Sequence, residues 1–270
     1  MRKIVYGLLL SVTILSCTSD DGANDSEDNY ASFLSDTSIE TDIDFMPEET
    51  YEVFDGTPQV PSLKLKLVTT EIYPCVNYTL ATTTFVRDTE LIVRFDEVIE
   101  PVFCLTAIGP AGVYLDLPED IERITLINGE SIDKYTIETN MDKVEIRLIE
   151  RNFTNLLFEN TFRLPENSFA YVCGTNIDNT QLYDDFKNIL LSNAALTEIT
   201  FNGEGRIPYP ESSSGHGVDH PSVFFQYTDE SIFDELGEVL DDFASQYLEG
   251  EIGVTMRLDS WKNKRHASWD

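Results

Sequence analysis

The stretch Arg123-Ile-Thr-Leu-Ile-Asn-Gly-Glu-Ser-Ile-Asp-Lys-Tyr-Thr-Ile-Glu-Thr-Asn-Met-Asp-Lys-Val-Glu-Ile-Arg-Leu148 decides the fold class. Ile124 and Leu126 lead into Asn128-Gly129, a dipeptide that favours the tight turn of a hairpin because both residues tolerate positive φ. Tyr135 and Ile137 follow at period two. Val144, Ile146 and Leu148 then alternate with Glu145 and Arg147. Alternation of apolar and polar side chains is the signature of strands with one buried face.

The pattern extends toward the N-terminus. Leu65 and Leu67 alternate with Lys64 and Lys66, while Val76, Tyr78 and Leu80 share a face. Leu91, Val93 and Phe95 oppose Glu90 and Arg94. Short strands at this spacing, over 62–165, predict an antiparallel β-sandwich of immunoglobulin-like architecture. The region has no tryptophan, so the antibody-type core is not expected.

Beyond residue 165 the periods mix. Phe169 to Val172 reads as a strand. Leu182, Tyr183, Phe186, Ile189 and Leu190 mark one face of a helix, with Asp178 and Gln181 as its capping pair. Thr197, Ile199 and Phe201 suggest a strand, as does Val223 to Tyr227. The stripe Ile232, Phe233, Leu236, Val239, Leu240, Phe243 and Tyr247 predicts a long helix ended by Gly250, and Ile252 to Leu258 a closing strand. The resulting order over 166–260, β-α-β-β-α-β, is that of a ferredoxin-like module. Residues 261–270 are left as a basic and aromatic tail. Its Lys262, Lys264, Arg265 and His266 lie between Trp261 and Trp269 and are expected to dock on the acidic body.

At the other end, Arg2 and Lys3 precede an apolar run, Ile4 to Leu15, too short for the roughly 20 residues that span a bilayer. Ile14-Leu15-Ser16-Cys17 resembles the lipobox of bacterial lipoproteins. The resemblance implies a signal peptide over 1–16, lipidation of Cys17, and membrane contact through the acyl chains alone. Residues 17–61 are rich in Asp and Glu and, up to Lys64, without Lys or Arg; such composition predicts a disordered tether with a random-coil reach of roughly 35 Å. Asp20-Asp21, close behind the cysteine, resembles the acidic export signal of surface lipoproteins from Bacteroidota. That implies an outer-membrane lipoprotein exposed at the cell surface, with a periplasm-facing orientation as the alternative.

The formal charge of the full chain is −31, and cleavage before Cys17 removes two further cations. Such a body repels phosphate backbones and anionic headgroups, which excludes nucleic acid as a partner. Cys75 and Cys104, at the ends of predicted strands, are expected to form a disulfide worth roughly 3–4 kcal/mol on the chain-entropy estimate. Cys173 reads as a buried structural thiol.

The remaining chemistry concentrates in the loop 202–222. His216, Asp219 and His220 have the residue types of a divalent-metal site, but Gly215, Gly217 and Pro221 deny the helix that would align them. Gly203-Glu204-Gly205-Arg206 lacks a phosphate-loop pattern, and Ser212 to Ser214 lack a nucleophile elbow. Arg206 and Tyr209, the latter between two prolines, are candidates for a binding surface. No catalytic residue and no cofactor are assigned. Two functions follow. One is a non-catalytic envelope lipoprotein serving as a binding or structural accessory component toward a protein or glycan. The alternative is a small exported metal-dependent hydrolase built on the 202–222 loop.

Overall fold

A computed structural model describes residues 30–52 and 57–269. Cys17, the signal peptide, and residues 17–29 and 53–56 of the acidic tether lie outside the described residues. Two compact units divide at Phe33/Leu34. Within the first, Tyr30 to Phe33 form a turn in which the Phe33 amide donates to the Tyr30 carbonyl at 2.8 Å.

The second unit is β-rich and holds two sheets. The first has ten strands: β1 (Ile43–Thr50), β2 (Ser62–Tyr73), β3 (Thr79–Arg87), β4 (Glu90–Ile99), β5 (Gly109–Asp116), β6 (Arg123–Asn128), β7 (Ser131–Thr139), β8 (Lys143–Glu150), β9 (Thr154–Leu156) and β10 (Asn160–Phe162). Their spatial order is β10-β8-β7-β6-β4-β3-β5-β2-β1-β9. The expected sandwich of two facing sheets is therefore corrected to one continuous curled sheet. Phe45 of β1 meets Tyr135 of β7 edge-on at 4.8 Å although five strands lie between them in the ladder. The two edge strands, β9 and β10, are consecutive in the chain, and only Leu157 to Glu159 separate them. That link is bonded on both sides: the Leu157 amide donates to Phe45 and the Ile146 amide to Glu159. The alternating apolar residues read from the sequence fill the concave side, among them Leu65, Leu67, Val93, Phe95, Leu126 and Ile146.

The tether expected to run to residue 61 is also corrected. Its acidic composition hides a strand: Ile43 and Phe45 are fully buried, and β1 pairs with β2 from Ile43↔Thr69 to Thr50↔Ser62. The acids that suggested disorder have partners far away in sequence. Glu48 takes Lys66 at 3.1 Å and the Arg206 guanidinium, and Glu49 takes Arg163 at 3.1 Å. On β7 the buried Asp133 carboxylate accepts the amides of Asn152, Phe153 and Thr154 at 2.6, 3.1 and 2.8 Å. This bent segment delivers β9 to the edge of β1.

The second sheet comprises β11 (Ser168–Thr175), β12 (Leu196–Ile199), β13 (Val218–Asp219), β14 (Val223–Tyr227), β15 (Thr255–Ser260) and β16 (Arg265–Ala267). Its order is β12-β14-β11-β15-β16, with β13 beside the end of β11. Helices α1 (Gln181–Ser192) and α2 (Glu230–Tyr247) follow β11 and β14 and pack on the same face. Phe169, Tyr171 and Cys173 of β11 meet Phe186 of α1 and Phe233 and Leu240 of α2 there. Asn176 caps the short 3-10 turn ahead of α1, replacing the expected Asp178–Gln181 pair, and Asp229 caps α2. Residues 261–269 are not a tail. Trp261 is buried with its indole N–H donating to the Tyr227 hydroxyl at 3.0 Å, and β16 extends the sheet. Their cations are paired, Lys262 with Glu230, Lys264 with Asp234 and Arg265 with Asp259.

Candidate functional site

The loop from residue 200 to 222 covers the face of the second sheet opposite the helices. It begins by crossing to the first sheet. The Arg206 amide donates to Asn160 and its carbonyl accepts from Phe162, both at 2.9 Å, while its side chain pairs with Glu48. Gly205 is required here: a Cβ would lie 2.8 Å from the Asn160 oxygen, and φ is +158°. Tyr209 then turns inward. It is buried, donates or accepts at 2.8 Å with the Ser168 hydroxyl, and stacks on Phe224 above Ala170 and Val172. Burial pushes its phenol well above the ordinary range. Arg206 and Tyr209, expected as a binding surface, are thus committed to the interior and to the junction of the two sheets.

The rest of the loop is organised by Asp219. Its carboxylate accepts from the Ser213 hydroxyl at 2.9 Å, from the amides of Gly215 and His216 at 3.2 Å, and from His216 Nδ1 at 3.2 Å. The Ser213 hydrogen bond leads the effects that hold this carboxyl below its usual range. The other ring nitrogen, Nε2, lies 2.8 Å from the Thr255 hydroxyl. The imidazole rests on Gly174, where a Cβ would come within 2.2 Å of the ring.

His220 goes elsewhere. Its Nε2 is 2.9 Å from the Thr175 hydroxyl, and its ring stacks on Tyr183 at 4.4 Å with an interplanar angle of 5°. Gly174 and Thr175 are adjacent in a strand, so they face opposite sides of the sheet. His216 touches the first and His220 the second. The metal-ligand set His216, Asp219 and His220 is therefore corrected: the structure brings Asp219 and His216 together and separates His220 by the thickness of the sheet. No group of three metal-binding side chains forms among the described residues. Burial lowers the His220 pKa, which keeps the ring neutral, with Asp184 and Asp219 opposing the shift.

A hydroxyl, an imidazole and a carboxylate do stand in line at Thr255, His216 and Asp219. That order alone is not catalytic. Acyl transfer also needs donors preorganised where the oxyanion develops. Thr255 instead sits in a regular ladder opposite Gly174, under the loop. Cys173 is buried on the helix face with its thiol pushed up to about 11, which removes thiolate character at neutral pH. A cleft of about 390 Å3 opens between Glu49 and Tyr51 on one side and Asp259, Lys264 and Arg265 on the other. Its charged groups are engaged with one another or with neighbouring elements, as in the pairs Arg265–Asp259, Arg163–Glu49 and Lys264–Asp234.

The surface that the sequence reading missed lies at one end of the curled sheet. Cys75 and Cys104 form a disulfide, with Cα atoms 5.2 Å apart. The bond ties the turn after β2 to the segment between β4 and β5. The Asn77 amide adds two clamps, donating to Phe103 O at 2.6 Å and accepting from the Leu105 amide at 3.1 Å. On this braced segment Val102 is 92% exposed, Phe103 84% and Ile108 74%, and Leu105, Val76 and Ile72 are exposed beside them. Exposed apolar groups scattered singly are ordinary; here six of them lie on the two segments, 72–76 and 102–108, that the disulfide joins. A signal was present in Pro101-Val-Phe-Cys-Leu-Thr-Ala-Ile-Gly-Pro110, an apolar run without alternation, framed by prolines.

Compared with known protein families, characterised proteins and solved structures, the chain matches none.

Proposed function

We propose that this protein is a non-catalytic cell-envelope lipoprotein, anchored through Cys17 and acting as a binding or structural accessory component. The observation that carries the binding role is the apolar segment 102–108, tied by the disulfide and by two Asn77 hydrogen bonds and open to solvent. A disulfide is at home in an exported chain. The acidic residues ahead of Ser35 serve as a shortened tether, since Ser35 and Ile39 are already bonded to Gly129 and Asn128 of the body; the surface of the outer membrane is the favoured address, with a protein or glycan as ligand class. The C-terminal half reads as a ferredoxin-like module extended by β16, because β12-β14-β11-β15 with every pair antiparallel is the split β-α-β order.

The hydrolase alternative loses its support with the separation of His216 from His220. Anchoring is tested by feeding cells an alkyne-tagged palmitate and fractionating them. The parent chain should incorporate label and sediment with membranes. The Cys17→Ser variant should carry none and turn soluble; a variant that still sediments would sink the proposal.

A further inference from the structure

We infer that the braced loop, Val102, Phe103, Leu105 and Ile108 with Ile72 and Val76, is a docking surface for a protein whose own site is an apolar pocket rimmed by Lys and Arg. The inference rests on the binding role proposed above and names the partner's chemistry. Three observations carry it. The apolar side chains are presented in a fixed arrangement, because the Cys75–Cys104 bond and the two Asn77 hydrogen bonds hold the segment; ordering paid before association raises affinity. Phe103 has the character of an anchor that fills a pocket.

The third observation is charge. No Lys or Arg occurs in 67–86 or 95–122, which hold all of the patch residues, while Glu71 and Glu100, exposed, flank its two segments and Glu97 is exposed on β4 leading into it. An acidic rim around an apolar centre complements a basic rim. The same rim repels anionic headgroups, which disfavours a bilayer as occupant. It equally disfavours a second copy, which would bring identical acids face to face.

The test pans a phage-displayed random dodecapeptide library against the full chain in detergent. Enriched peptides should combine apolar residues with Lys or Arg. Their affinity should fall at least tenfold for the double variant Phe103→Ser/Ile108→Ser and, separately, for Glu97→Lys/Glu100→Lys, which leaves the apolar centre and the disulfide untouched. Both pairs are solvent-exposed, and an unchanged circular dichroism spectrum verifies the fold. Failure to enrich, enrichment of peptides without basic residues, or equal binding to the variants overturns the inference. So does Phe103-dependent flotation with phosphatidylethanolamine/phosphatidylglycerol vesicles, or a Phe103-dependent dimer in sedimentation. Those failures leave palmitate labelling of Cys17 unaffected, so the anchoring reading stands or falls on its own result.

Discussion

Gly174 shows how much rests on one missing side chain. The His216 imidazole occupies the space a Cβ would take, and from there reaches both Asp219 and Thr255. Gly174→Ala should expel the ring and cost about 1–3 kcal/mol, the usual range for overpacking. Urea unfolding monitored by circular dichroism measures this, and an unchanged midpoint would show that the ring is not seated there. His220 and His266 supply a pH dependence. Burial is the leading cause that lowers both pKa values below 6.5. The unfolded chain therefore takes up protons first as pH falls. Stability is complete above about pH 6.5 and declines as acid drives the pH through the depressed folded values. A melting temperature that rises between pH 7 and pH 5 would contradict this sign. The residue types of the 202–222 loop were legible in the sequence, but which face each histidine takes was not. That depends on the pairing of β13 with β11, a long-range event with no local signature.

Among the elements, the 200–222 loop behaves as a third layer rather than a site. Tyr209→Ala should destabilise by about 3–5 kcal/mol, as expected for loss of a buried aromatic. Tyr209→Phe should cost only about 1 kcal/mol for the Ser168 hydrogen bond. Equal effects from the two variants would mean that the ring itself contributes little. Asp133 has the same standing in the first sheet. Asp133→Ala strands three amides at the edge where β9 begins and should cost about 3 kcal/mol or more, since each buried unsatisfied donor carries a penalty of about 1–3 kcal/mol. Hydrogen exchange reads the location, with faster exchange expected first at residues 152–156. Strand β1 shows the reason for one of the failures of element prediction. Ile43 and Phe45 alternate as a strand should, yet the acids around them outweighed two apolar residues. Lys66, Arg163 and Arg206, which neutralise those acids, come from three separate regions of the chain.

At the scale of the whole body, the two sheets are bound by polar as well as apolar contacts. The Tyr51 hydroxyl donates to the Trp261 carbonyl at 2.7 Å, the Gln59 amide to Lys262 at 3.0 Å, and Arg206 pairs with Glu48. Both tryptophans, Trp261 and Trp269, report on the second sheet, whereas most strand residues belong to the first. Denaturant titrations followed by tryptophan emission and by far-ultraviolet circular dichroism should coincide within error, the mark of a two-state transition. Separate midpoints would show that the halves unfold independently. Alternation was readable in β2, β3, β4, β6, β7 and β8, but not in β1, β5 or the three-residue β9 and β10. The order of the strands was not readable, because a period of two gives the buried face of a strand without naming its neighbour.

The three-residue link between β9 and β10 has a consequence in time. Asp44 and Asn155, which meet across β1 and β9, are 111 residues apart in the chain. A polypeptide leaving the ribosome makes the first edge of the seam long before the second exists, so β1 must wait, paired on one side only. Folding dominated by such distant pairings runs on the millisecond-to-second scale. A nascent chain stalled before residue 154 would carry two open strand edges, and open edges are where chains stick to one another. The molecule becomes safe from aggregation at that edge only when Leu157, Phe158 and Glu159 have been added and the seam is stitched.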